Sequence, residues 1–286
     1  MVSKQFPHAA SCPKSAAWFS IGAVAAAALA CMASAQAAEV VITPGMVSAV
    51  PVANQWYSTT SGGPSGTAAI TTTNPRSGNG SVEMSLSNIS GKADYTYYCG
   101  NLPGRTLSSL SQLSYDWYRD TSSTNSSVQQ PAMRLLIDAD GSAATTNDFG
   151  YLIWEQVYQT PGAVAAGTWV SSDILSGNFW QRNTSGHKTI EQYGVTLADW
   201  QTSPNYDGGL ILSADTKILG IEFGIGGGWD GAFRGYVDNV SYGFGADATR
   251  FNFEADAAGA VPEPATLALV GLALLGVAAA RRRGRG

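Results

Sequence analysis

The sequence predicts an all-β protein: a single β-sandwich or jelly-roll domain, flanked by an N-terminal signal helix and a C-terminal transmembrane helix. Three observations predict it. Short runs of β-forming residues recur between turns rich in Gly, Ser and Thr. Long amphipathic helical patterns are missing from the body of the chain. About 220 residues remain once the two apolar ends are set aside, a length that suits one all-β domain.

At the N-terminus, Lys4 and Lys14 precede an apolar run from Phe19 to Ala35, and Ala33, Ala35 and Ala37 offer small-residue cleavage sites before Glu39. A charged start, an apolar middle and small residues at the cut describe a secretory signal peptide, so residues 1–38 are assigned to it and signal peptidase is an expected partner. Residues 39–244 are expected to form the sandwich. Its strands are expected at SVEMSLS (81–87), DYTYYC (94–99), QLSYDWYR (112–119), MRLLIDA (133–139), GYLIWEQVY (150–158), TWVSSDIL (168–175), KTIEQY (188–193), KILGIEFGIG (217–226) and FRGYVDNVSYGF (233–244). Leu113, Tyr115 and Trp117 alternate with Ser114, Asp116 and Tyr118, the period of a strand with one buried face. MRLLI and YLIW are continuous and read as central strands. Residues 58–80 are poor in large apolar side chains and read as a loop or a weak edge strand. One short helix is expected at TLADWQT, where Thr196 caps and Asp199 closes a capping box. TRFNFE (249–254) is a final strand, and residues 245–260 lead through an Ala/Gly linker to the tail.

From Ala265 to Ala280 no residue is charged, and a helix there is about 24 Å long. That is marginal against a hydrocarbon core of about 30 Å. Arg281, Arg282, Arg283 and Arg285 stop the segment and hold its end in the cytoplasm. In front of it, Pro262 and Pro264 push Val261 and Glu263 into extended backbone. The composite Val261-Pro262-Glu263-Pro264, apolar run and arginine cluster resembles the PEP-CTERM sorting tail of Gram-negative bacteria. The resemblance covers residues 261–286. It implies a transient inner-membrane anchor, an exosortase-like membrane protease as partner, and delivery to the cell surface or exopolysaccharide matrix. The same tail is catalogued as a C-terminal domain of ice-binding proteins, but a sorting signal is not an ice-binding face. The body resembles carbohydrate-binding, jelly-roll-type modules through NPRSGNGSVEMSLS and GGGWDGAFRGYVDNVSYGF, which contains Val237-Asp238-Asn239-Val240.

Charge and composition exclude several function classes. Between Glu39 and Ala260 there are ten basic and twenty acidic residues, a formal charge of −10. That argues against nucleic acid as a partner. Cys99 is the only cysteine left after signal removal, so no internal disulfide is available, and it reads as a buried small hydrophobe. The lone body histidine, His187, sits in a turn-like stretch, and there is no G-x-S-x-G elbow. Glu83, Glu155, Glu191 and Glu222 are the glutamates from which a glycoside-cleaving pair would have to come, and a solvent strand face explains all four without chemistry. No catalytic residue is therefore assigned.

Two candidate sites remain. Asp138-Ala139-Asp140-Gly141 opens like a calcium loop, with Asp148 in reach, although Asp-Gly is also a hairpin signal. Calcium is the one cofactor considered. For glycan, Trp229 with Asp230 sits among glycines and Trp180 with Asn178 sits in SGNFWQRN, while Trp117, Trp154 and Trp169 read as core. The expectation is an exported, non-catalytic surface or matrix protein that binds glycan. The alternatives are a secreted polysaccharide hydrolase or lyase and a purely structural matrix protein.

Overall fold

The computed structural model describes residues 37–256, apart from 62–64, 143, 185 and 203–205. The signal segment, the PEP motif, the expected transmembrane helix and the arginine cluster lie outside the described residues. Among the described residues, no helix is long and apolar enough to cross a membrane.

Among the described residues, thirteen strands form two sheets. They are β1 (Ala38–Ile42), β2 (Gln55–Ser61), β3 (Gly66–Thr71), β4 (Ser81–Leu86), β5 (Lys92–Tyr98), β6 (Leu110–Arg119), β7 (Ala132–Asp138), β8 (Phe149–Trp154), β9 (Trp169–Asp173), β10 (Trp180–Asn183), β11 (Lys217–Gly226), β12 (Phe233–Phe244) and β13 (Asp247–Phe253). The first sheet is built on the long strand β12. One edge of β12 pairs with β6, which pairs with β9; the other edge is shared by β4–β3 and β13–β1. The second sheet runs β10-β8-β7-β11-β5-β2. Every strand pair is antiparallel except β1 with β13.

Alternation places the core. Leu113, Tyr115 and Trp117 of β6 are buried, as their period of two predicts. On the second sheet Tyr95, Phe223 and Met133 point inward. The layers meet through aromatic rings: Trp56 packs edge-on to Phe253 at 5.1 Å and to Phe251 at 5.3 Å, both from the other sheet. Cys99 is a free, buried thiol in this core.

The expected helix forms at Leu197–Gln201, α1, with the Thr196–Asp199 capping box in place. Trp200 of α1 is buried and donates its Nε1 proton to the Phe179 carbonyl at 2.9 Å. KTIEQY does not form a strand. Only Ile190 bridges to Gln181 of the edge strand β10, and the Gln181 side chain bonds the Leu210 backbone in both directions instead. Residues 58–80 contain most of β2 and all of β3, and both are edge strands. Trp169 differs from its core reading. It is partly exposed on the outer face of the first sheet, against Tyr118 and Tyr236.

Candidate functional site

Strand register brings together a row of mostly polar side chains on the outer face of the second sheet. Tyr57, Thr96, Glu222, Arg134, Ile153 and Trp180 stand opposite one another across β2, β5, β11, β7, β8 and β10. Their sequence neighbours Trp56, Tyr95 and Phe223 fill the core, so this row faces away from it.

At its centre Arg134 Nη1 donates to Asp94 Oδ1 and to Glu222 Oε1, each at 2.6 Å. Thr96 Oγ1 donates to the other Glu222 oxygen at 2.7 Å, and Lys92 pairs with the other Asp94 oxygen. Gly224 makes the contact feasible: a Cβ there would lie 1.9 Å from Asp94 Oδ1 and 2.6 Å from Arg134 Nη1. Although on the outer face, the three charged side chains are buried, with Asp94 at 2 %, Glu222 at 6 % and Arg134 at 7 % exposure. Burial alone would lower the Arg134 pKa, but the Glu222 and Asp94 carboxylates reverse this and raise it, so Arg134 is a fixed cation. Two cations and two carboxylates leave the cluster electrically balanced.

Aromatic rings border the cluster. Tyr57, Tyr98, Tyr151 and Trp180 are all partly exposed. Burial, followed by the Glu222 charge, pushes the Tyr151 phenol up to about 12, so it stays a neutral donor. Trp180 Nε1 donates to Glu155 Oε2 at 2.9 Å. Burial raises the Glu155 pKa, an effect the Trp180 bond opposes. Beyond Trp180, Tyr158 and Tyr193 stack at 3.8 Å and 10°.

The residues singled out from the sequence fall in three places. Trp180 lies on this face. Asn178 is tied into the loop beside it: its backbone N–H donates to Gln159 Oε1 at 2.8 Å and its side chain to the Tyr158 carbonyl. Trp229 is 9 % exposed and packs edge-on to Phe233 at 5.3 Å, so its ring is spent on packing, while Asp230 beside it is exposed. Arg134 and Asp94 escape sequence reasoning, and Glu222, expected on a solvent strand face, is buried, because their meeting depends on register between strands far apart in the chain. The one local signal is a charged residue between buried apolar neighbours, as in Ile221-Glu222-Phe223.

The acidic loop is the second site. Oxygens of Asp138, Asp140 and Asp148 lie within 4.8 Å of one another. Gly141 turns the chain at φ +68° and donates to Asp138 Oδ1 at 2.8 Å. Asp138 is buried, and burial, with the Asp148 and Asp140 charges, raises its pKa. Asp148 Oδ1 is shielded from solvent without a hydrogen-bond partner. An oxygen donor set with uncompensated charge and one orphaned oxygen fits a hard divalent cation such as Ca²⁺.

No curated protein matches the chain. Among solved structures, it is similar to a family 11 carbohydrate-binding module from Clostridium thermocellum in complex with a β-1,3-1,4-mixed-linked tetrasaccharide. That alignment has 15% identity and a TM-score of 0.36, and covers 72% of this chain and 93% of that one. A structure of carbohydrate-binding modules from the β-sandwich superfamily aligns at 11% identity and TM-score 0.32, over 67% of this chain and 58% of that one. An endo-β-1,4-glucuronan lyase from the fungus Trichoderma reesei aligns at 10% identity and TM-score 0.34, over 64% and 88%. At the C-terminus, residues 260–283 match the PEP-CTERM protein-sorting motif. The chain is thus a two-sheet β-sandwich that carries a PEP-CTERM protein-sorting motif, which implies export and a transiently anchored tail.

Proposed function

We propose that this is a non-catalytic surface or extracellular-matrix protein of a Gram-negative bacterium, cut by signal peptidase and an exosortase-like protease, which binds glycan on the outer face of its second sheet. The carrying observation is the aromatic-bordered, charge-balanced cluster around Arg134. Sugar rings offer apolar faces to aromatic side chains and hydroxyls to fixed polar groups. Tyr57, Tyr151 and Trp180 supply the first; the phenols of Tyr57 and Tyr151 and the Lys92 ammonium, all partly exposed and held by the buried cluster beneath, supply the second. Internal charge balance favours an uncharged polysaccharide.

The same geometry argues against a hydrolase. Two carboxylates that cleave a glycosidic bond must stand on either side of it. Asp94 and Glu222 instead grip one guanidinium nitrogen, which fills the space between them. Affinity electrophoresis of the processed protein in gels containing neutral polysaccharide tests both halves. Retarded migration without new reducing ends is expected. Steady release of sugar would replace this reading with the enzymatic one, and free migration in every neutral polysaccharide would leave a purely structural role.

Calcium is proposed at Asp138, Asp140 and Asp148 as a structural ion, supported by the orphaned Asp148 oxygen.

A further inference from the structure

A cavity of about 300 Å³ lies away from the outer face of the second sheet, beside the turn joining β12 to β13. Arg105, Tyr242, Phe244, Ser109 and Asp247 line it. The Arg105 guanidinium lies over two rings at once, 5.4 Å from the Tyr242 centroid and 5.3 Å from the Phe244 centroid. Those rings stand edge to face at 5.3 Å, so the cation is held in a fixed aromatic corner.

Arg105 lacks a counter-ion. Six other arginine or lysine side chains form ion pairs among the described residues, and Arg105 joins none of them. Its Nη1 is shielded from solvent, but the residue as a whole is partly exposed and lines the cavity. The Cys99 thiol beside it is no anion either: burial raises its pKa, although a hydrogen bond with the Arg105 side chain and the Arg105 charge pull the other way. Asp247 lines the cavity without pairing with Arg105, and it is exposed.

A guanidinium fork matches a carboxylate, and a carboxylate rim accepts hydroxyl protons. One small ligand that offers both is a hydroxylated acid. The cavity volume is at the lower end for small-molecule sites, the size of one sugar ring. We propose that the Arg105 cavity binds the carboxylate of a uronic acid residue, with Asp247 accepting its hydroxyls.

Titration of the purified processed protein with glucuronate, its methyl ester and glucose tests this without relying on a variant. Binding of glucuronate is expected to exceed that of the ester and of glucose at least tenfold. Equal binding of the three, or no binding of glucuronate at millimolar concentration, overturns the proposal. Arg105→Gln is expected to weaken glucuronate at least tenfold, with Arg105→Lys in between, because a lysine keeps the charge but loses the fork. If Arg105→Gln fails to fold, the ester comparison still decides. Retention of Arg105→Gln by neutral polysaccharide is expected to match wild type, so failure at this cavity and failure on the sheet face are read separately.

Discussion

Arg134 illustrates how much one side chain holds at the residue scale. It is the only cation bonded to both Asp94 and Glu222 among the described residues, and all three are buried. Removing one partner of a buried ion pair typically costs about 3–5 kcal/mol, because the other charge is stranded. Arg134→Met is therefore expected to lower the unfolding free energy, read from denaturant titration, by that order; a loss under about 1 kcal/mol would mean that water already screens the cluster. Asp238, in the bulge of β12, gives a pH prediction. It accepts the Ser77 backbone N–H at 3.0 Å and the Phe253 N–H at 2.9 Å, but burial pushes its pKa up to about 7. A carboxyl whose folded pKa is raised contributes stability below its unfolded pKa and loses it as pH rises through the folded value. The melting-temperature difference between wild type and Asp238→Asn is thus expected to move against wild type from pH 4 to pH 8. A constant difference across that range would contradict the assignment.

Single elements show what the sequence made legible and what it hid. β6 and β11 announce themselves, because each buries an unbroken alternation or run of large side chains. β12 was readable as a strand, but not its bulge. Asp238 pairs with Asp116 and Ser241 with Ser114, so one extra residue sits on β12, and Asn239 adopts φ +52° there. The Asn239 side chain donates to Asp116 Oδ2 and Ser77 Oγ, contacts from distant segments that no local pattern reveals. β10 went unseen because its four residues, Trp180–Asn183, are three-quarters polar. That omission hid the outer-face row, since β10 presents Trp180 to it. The loop between β7 and β8 carries its own test. If Asp138, Asp140 and Asp148 hold Ca²⁺, chelation lowers the melting temperature and micromolar to millimolar calcium restores it. An unchanged melting temperature in EDTA would remove the ion from the account.

On the scale of the whole molecule, the two ends and the body divide the work. The tail motif at residues 260–283 concerns destination, and the proposed binding belongs to the sandwich. Intact-mass measurement of the protein recovered from the cell surface or medium is expected to show loss of both the signal and the segment beyond the PEP motif. A product that retains Arg285 would contradict release. The central claim, that an exported sandwich binds uncharged glycan on the outer face of its second sheet, is tested most directly by calorimetric titration of wild type and the double variant Tyr57→Ala/Trp180→Ala with soluble neutral polysaccharide. Both side chains are partly exposed at that face, so folding is expected to survive. The account predicts at least tenfold weaker binding with the melting temperature held within a few degrees; binding of equal strength in the double variant would contradict it.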